Sequence, residues 1–227
     1  MTYFYISNLA GQLIVILLAV FSIAAWTIMV FKWFMLRRIQ RSSELRFREI
    51  MDSQELLTLP IHAHEQKDHS FADIAVEALA AYKREVQEFG HPSGTVARER
   101  CLRAVENAMT RSISETTLFY EWAMVTLASI VTAAPFLGLL GTVWGVMEAF
   151  GSVSGGGGAS IQSLAPGVSG ALLTTVCALI VAIPSVIGYN ALISKIKIMG
   201  IQLDNFASQL SEMIETELSR QDVSSSR

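Results

Sequence analysis

Three stretches without any charged side chain constrain this sequence more than any other feature. Residues 1–31, 122–147 and 149–194 contain no Asp, Glu, Lys or Arg, although charged residues make up 16% of the chain. Each stretch holds the run of roughly 20 apolar residues that a helix needs to cross a bilayer. The pattern predicts an all-α integral membrane protein, and it excludes a disordered protein, which needs low hydrophobicity and high charge.

The apolar runs predict three transmembrane helices and seven segments in all. All 17 Lys and Arg lie within 32–111 and 195–227, so the positive-inside rule puts these regions in the cytoplasm, with the N-terminus outside. In chain order, the segments are an external N-terminus (1–8), the first span (9–31), a cytoplasmic helical region (32–121), the second span (122–147), a short external loop (148–163), the third span (164–193) and a cytoplasmic C-terminal helix and tail (194–227).

The cytoplasmic region is expected to contain two helices on either side of a turn. The sequence Gly-His-Pro-Ser-Gly at 90–94 is a strong turn signal. It separates a predicted helix near 70–89 from a longer one that starts at about Thr95. No Gly or Pro interrupts residues 96–134, so the second helix is expected to continue unbroken into the second span.

A stripe of apolar residues predicts that the third span also extends into the cytoplasm. Its members recur at alternating steps of four and three, a heptad-like spacing. Two interpretations fit: the stripe packs on the chain's own cytoplasmic helices, or it contacts other copies in an oligomer. The members are Leu192, Ile196, Met199, Leu203, Phe206, Leu210 and Met213.

The second and third spans are rich in small residues and hydroxyls. Gly141 and Gly145 form a Gly-x-x-x-Gly motif, which lets membrane helices approach closely. From the residues alone, two readings stay open. Either the helices pack tightly within one chain, with Thr hydroxyls bonded to their own helix, or the small faces line a narrow pore. The residues concerned are Gly138, Gly141, Thr142 and Gly145 in the second span and Ala171, Thr174, Thr175 and Ala178 in the third.

Three prolines fall inside or beside these spans. Pro166 follows polar Ser163 and is expected in the first turn of the third span. Pro135 and Pro184 lie within apolar runs and are expected to bend the helix. Such bends are tolerated in membranes where neighbouring groups satisfy the freed carbonyls.

No Asp, Glu, His, Lys or Arg lies deep in any predicted span. Between Trp122 and Ser194 the only charged residue is Glu148, about 9 Å outward of Thr142 at about 1.5 Å per residue. Glu148 is either a solvated helix-end charge or a charge that gathers cations at a pore mouth. Proton relays in membranes need ionisable groups, so this chain alone would be a poor proton carrier. If it conducts protons, a partner must supply the carboxylate.

Other candidate chemistry is weak. His62, His64 and His69 are read as part of a polar linker, with a metal site as the alternative, because they lack helical spacing and assisting cysteines. Cys101 and Cys177 are expected to be free thiols. The net charge of −3 offers no basic surplus for nucleic acid. No metal or organic cofactor is expected, and no catalytic motif suggests an enzyme.

Two runs resemble signatures of the MotA/TolQ/ExbB proton channel family. The run from Ala134 to Met147, Ala-Pro-Phe-Leu-Gly-Leu-Leu-Gly-Thr-Val-Trp-Gly-Val-Met, is similar to the family's second-span motif. The run from Leu164 to Thr175, continuing to Ala182-Ile183-Pro184, is similar to its third-span motif. Residues 21–26 in the first span slightly favour the TolQ branch over ExbB.

The resemblance implies a bacterial inner-membrane subunit of a proton-driven motor of Tol-Pal or Ton type. It implies a pentameric ring around two copies of a single-span TolR/ExbD-like partner whose Asp carries the proton, with a TolA- or TonB-like protein as a further partner. Protons, or Na⁺ as an alternative, would be the coupling ion. The family's two pore threonines fall on Thr142 and Thr175, with Thr174 as a neighbouring candidate.

One position departs from the family pattern. TolQ and ExbB typically carry a glutamate just before the Ala-Leu of the third span, where this chain has Gly170. The change leaves the route of the ion open. It supports an alternative in which the chain is a structural scaffold that assembles a partner but conducts nothing.

Overall fold

The protein folds into long α-helices. The computed structural model describes residues 9–52, 71–92, 94–154 and 161–225, and these residues contain helices and turns but no strand. The all-α class is therefore confirmed. The helices are α1 (Leu9–Asp52), α2 (Phe71–Phe89), α3 (Thr95–Glu121), α4 (Met124–Ser154) and α5 (Ile161–Ser225).

Three stretches are long and apolar enough to cross a membrane. They lie within Ala10–Arg41, Thr95–Gly151 and Leu164–Arg220. The predicted number of spans is confirmed among the described residues, whereas the predicted bounds of each span stay predictions. The direction of each span across the bilayer stays a prediction.

The chain divides into two compact units. The membrane unit comprises the described residues of 1–33 and 123–193, and the polar unit comprises those of 34–122 and 194–227. The membrane unit contains most of α1, all of α4 and the first half of α5. The polar unit contains α2, α3, the end of α1 and the second half of α5.

The predicted unbroken helix across 96–134 is wrong at one place. Helix α3 ends at Glu121 and α4 begins at Met124, with Trp122 extended at φ −51° and ψ 137° and Ala123 left-handed at φ +65°. The Trp122 N–H still donates to the Leu118 carbonyl at 3.0 Å. An L-residue other than Gly is disfavoured in this conformation by about 1–2 kcal/mol. No Gly or Pro marks the break, so the surrounding fold and not local propensity imposes it.

Helix α5 confirms that the third span continues into the polar region, since it runs without interruption for 65 residues. It passes through Pro184, as α4 passes through Pro135, and the bends expected there stay predictions. The first-turn placement of Pro166 is wrong. Ile161, Gln162 and Ser163 are already helical, so Pro166 lies in the second turn.

The polar unit has a core of large apolar side chains. Helices α2 and α3 form a hairpin around the predicted turn, and Gly90 and Gly94 both adopt positive φ there. The α5 stripe packs against this hairpin: the Phe71 and Phe206 rings lie 5.1 Å apart. Burial within one chain confirms packing on the chain's own helices. At its end the stripe follows Ile214, which is 1% exposed, rather than half-buried Met213.

Packing of the second and third spans and the candidate ion pathway

In the membrane unit, α4 and α5 face each other through residues that have almost no side chain. A Cβ placed on Gly138 would lie 2.5 Å from the Cβ of Ala178, and one on Gly145 would lie 2.7 Å from the Cβ of Ala171. Real Cβ atoms essentially never approach this closely. The two backbones are therefore as close as glycine permits, as in other small-residue membrane interfaces.

The contacts follow an antiparallel order along the two helices. From Gly138 towards Ala149 along α4, the pairs are Gly138 with Ala178, Gly141 with Thr174, Gly145 with Ala171 and Ala149 with Gly167. Every pair combines a glycine with a residue no larger than threonine. The small residues predicted to line a pore face thus meet each other inside one chain.

Thr174 lies at the centre of this interface and is 1% exposed. Its hydroxyl donates to the Ala171 carbonyl of its own helix at 2.7 Å and lies 3.3 Å from the Gly138 carbonyl of α4. Its side chain occupies the space that a Cβ on Gly141 would need. Thr174 therefore makes all its described contacts within the chain.

Thr175 is half-buried and bonds across the interface. Its hydroxyl donates to the Gly138 carbonyl at 3.0 Å. Threonine in membrane helices usually donates its hydroxyl proton to a carbonyl of its own helix, but Thr175 donates to the facing helix instead. It therefore fastens α5 to α4 while part of the side chain stays accessible.

Thr142 is half-buried, and its hydroxyl donates to the Leu139 carbonyl of its own helix at 2.7 Å. It lies one residue along α4 from Gly141, at the margin of the close interface. Thr142 and Thr175 thus both retain exposed surface, whereas Thr174 does not. The structure brings the two predicted pore threonines onto facing helices.

The remaining predicted positions lie around this interface. Glu148 is exposed two turns before the end of α4. Gly170, which stands where a glutamate was expected, is buried. Near Pro184, the buried Ser185 hydroxyl donates to the Val181 carbonyl at 2.6 Å.

Two features of the first span were missed by sequence reasoning. Met29 is buried, and its side chain fills the space in front of Gly188, so α1 and α5 also meet through a glycine. Lys32 is fully buried, although the sequence suggests only a topology-setting charge. The spacing of Leu18, Ala25, Met29 and Lys32 offered a signal, because it places all four on one face of a helix.

The charged residues of the polar unit whose side chains the structure describes lie at or near its surface. Arg100 pairs with Glu85 at 3.2 Å and lies 3.8 Å from the centre of the Phe89 ring. Next to it, Cys101 is buried, and burial raises the pKa of its thiol; Glu85 adds to the rise and Arg100 opposes it. A buried thiol with a raised pKa is unreactive. Cys101 and Cys177 are both free, as predicted.

No metal centre is found among the residues that the structure describes, since no group of three His, Cys, Asp or Glu converges there. The histidines at 62, 64 and 69, and the loop glycines at 155–158, fall outside the described residues.

Comparison with known proteins now identifies the family. The model of the MotA/TolQ/ExbB proton channel family matches residues 76–205, which include the whole α4–α5 interface. The chain belongs to the MotA/TolQ/ExbB proton channel family. This family consists of membrane channel and motor proteins and is not an enzyme family.

Individual relatives from this family agree over most of their length. The chain is 26% identical to a Tol-Pal system protein TolQ from Haemophilus influenzae, over 92% of this chain and 90% of that protein. It is 30% identical to a biopolymer transport protein ExbB from Neisseria meningitidis, over 86% and 87%. An ExbB from Xanthomonas campestris is also 30% identical, over 89% and 81%. The TolQ and ExbB relatives are similarly distant.

Proposed function

We propose that this chain is the ring-forming inner-membrane subunit of a proton-driven energy-transducing complex of Tol-Pal or Ton type. The family membership supports a proton channel, and the names of the relatives support these two systems. The N-terminus and the 148–163 loop would face the periplasm, because all Lys and Arg lie outside them.

One observation carries the mechanism. Between Trp122 and Ser194 the chain has hydroxyls and the Cys177 thiol, but no Asp, Glu, His, Lys or Arg except Glu148. A proton cannot cross about 30 Å of hydrocarbon on hydroxyls alone. We infer that a single-span TolR/ExbD-like partner supplies an Asp within the membrane. Thr142 and Thr175 would solvate that carboxylate and the water or ion that exchanges with it.

Proton flux in liposomes that contain the chain and its partner tests this function. Thr175→Val and Thr142→Val should each abolish flux while the complex still assembles. Two matched controls also remove a hydroxyl, but at positions away from the proposed path, and should leave flux unchanged. They are Thr132→Val in α4, where the hydroxyl donates to the Ala128 carbonyl at 3.0 Å, and Ser185→Ala in α5. Normal flux in both pathway variants would refute the assignment.

Ring formation needs a separate measurement. Native mass spectrometry of the purified complex should give five copies of this chain and two of the partner. A monomer or a ring of another size would refute the stoichiometry without deciding the pathway. Replacing H⁺ by a Na⁺ gradient at fixed pH identifies the coupling ion.

The scaffold function is the second candidate, and Gly170 favours it because the usual family glutamate is missing. A scaffold predicts that the complex works in cells but shows no gradient-dependent flux. The substitution Gly170→Glu distinguishes the conducting function from the scaffold function. It should raise flux if the complex conducts and leave it at zero if the chain only assembles its partner.

A further inference from the structure

We propose that Thr174 is a positioning residue that sets the axial register of α5 against α4 and so places the Thr175 hydroxyl. The proposal rests on the proposed function, because that function gives Thr175 its part in the ion path. It assigns Thr174 a role different from that of a pore residue.

The shape of the interface is the first argument. Gly141 lies in the middle of the α4–α5 contact. Because glycine has no Cβ, a notch is left directly over the Gly141 Cα, and the Thr174 side chain fills it. The Thr174 Cβ would lie 2.7 Å from a Cβ at position 141, and its methyl group 3.0 Å. A branched side chain in such a notch prevents the helices from sliding past each other.

The hydrogen bonds of Thr174 are the second argument. Its one hydroxyl proton is directed to the Ala171 carbonyl at 2.7 Å, and the residue is 1% exposed. The hydroxyl therefore has no accessible surface to offer an ion. The Thr175 hydroxyl instead crosses to the Gly138 carbonyl at 3.0 Å. Neighbouring threonines thus have different environments.

The register matters because the Thr175 bond, at 3.0 Å, is already at the long end of the range for a hydroxyl donor and tolerates little lengthening. Sliding α5 by one residue moves it by about 1.5 Å. Such a shift would lengthen the 3.0 Å contact between the Thr175 hydroxyl and the Gly138 carbonyl beyond hydrogen-bonding range. The hydroxyl would then sit at another height relative to Thr142. The Thr174–Gly141 contact lies one helical turn from Gly138 and is placed to prevent this.

Two substitutions distinguish the contribution of the branched shape of Thr174 from that of its hydroxyl. Thr174→Val keeps the branched shape and removes the hydroxyl, whereas Thr174→Ser keeps the hydroxyl and removes the methyl group. We expect flux per assembled complex to stay within about threefold of wild type in Thr174→Val and to fall about tenfold in Thr174→Ser, since small misplacements are costly to transfer steps. The opposite order would make Thr174 an ion-path residue and overturn the proposal.

A size exchange tests the register without any ion flux. Gly141→Ala should lower the melting temperature of the purified chain in detergent, because the new Cβ meets Thr174. Adding Thr174→Gly should restore most of that loss by moving the small residue to the other helix. The control pair, Gly141→Ala with Ala178→Gly, should restore none, because Ala178 faces Gly138.

The two experiments keep the proposals distinguishable. If wild-type complex conducts nothing, the proposed function fails, and the melting temperatures still decide whether Thr174 and Gly141 set the register. If both exchanges restore the melting temperature equally, the notch is not specific and the positioning role is refuted. Rescue by Thr174→Gly alone supports it.

Discussion

Each of the two units is stabilised internally, but the side chains that pack inside them are of opposite size. In the membrane unit, the α4–α5 contact consists of glycine, alanine and threonine, and large apolar groups point outward: Phe136 is 71% exposed. In the polar unit the order is reversed, and Phe206 is 1% exposed and Leu210 fully buried. The difference follows from the solvent expected around each unit. In lipid there is no hydrophobic driving force that buries large apolar residues between helices, whereas in water the hydrophobic effect buries them in a core.

The largest expected effect comes from removing a large side chain from the core of the polar unit. Phe206→Ala should lower the free energy of unfolding by about 3–5 kcal/mol, as removal of a buried aromatic ring usually does. Its loss also removes the ring contact with Phe71. Thermal unfolding of the purified chain measures the change. Phe136→Ala, at an exposed ring in α4, is the matched control and should cost far less within the same preparation.

The next effect tests the membrane side with an enlargement. Gly138→Ala should destabilise the chain by about 1–3 kcal/mol, the usual range for overpacking, because the added Cβ meets the Ala178 Cβ and the Thr175 backbone. Melting temperature in detergent is the measurement. Gly151→Ala serves as the control, since a Cβ there meets nothing within 4 Å. Equal melting temperatures for both variants would contradict the close α4–α5 approach.

In the polar unit, a Gly→Ala substitution should have the opposite effect and stabilise the chain. A Cβ on Gly200 of α5 meets nothing within 4 Å, and the residue lies inside a helix. Gly200→Ala should therefore stabilise the chain by about 0.5–1 kcal/mol through helix propensity alone. A rise in melting temperature beside the fall for Gly138→Ala would sharpen the contrast; a fall would indicate packing against this glycine.

The smallest effect concerns surface charge. Arg103 and Glu99 form an i, i+4 pair on α3 at 2.5 Å, with both side chains more than 60% exposed. Such exposed helix pairs contribute about 0.3–0.5 kcal/mol. Glu99→Gln should thus shift the melting temperature by only a fraction of the Phe206→Ala effect, and raised salt should remove the difference. A larger loss would mean that ion pairs, and not large side chains, stabilise this unit.

Patterns that extend over a whole helix were predictable from the sequence. The three charge-free stretches located the spans, and the period of the α5 stripe located the polar core as far as Leu210. Both patterns average over many residues, so no single position decides them. The helix hairpin around residues 90–94 was equally predictable, because Gly90 and Gly94 carry the positive φ that its turn needs.

Features that depend on one position or one neighbour were not predictable. The break at Ala123 has no local signal, since alanine favours helices. Spacing placed Gly138 and Thr142 on one small-residue face, but only the structure pairs Gly141 with Thr174 across two helices. Helical spacing fixes which residues share a face of one helix. It does not tell which face of the next helix lies opposite.

The glycines of the α4–α5 contact have a consequence for how this chain can vary. Every other amino acid has a Cβ, so every missense change at Gly138, Gly141, Gly145 or Gly167 inserts an atom within 3 Å of the facing helix. A library of all single substitutions, selected for growth that depends on the complex, should therefore lose nearly every variant at these positions. At Gly151 and Gly200 the same library should retain most of them. Mutational tolerance along the chain would then trace the contact line between the two helices.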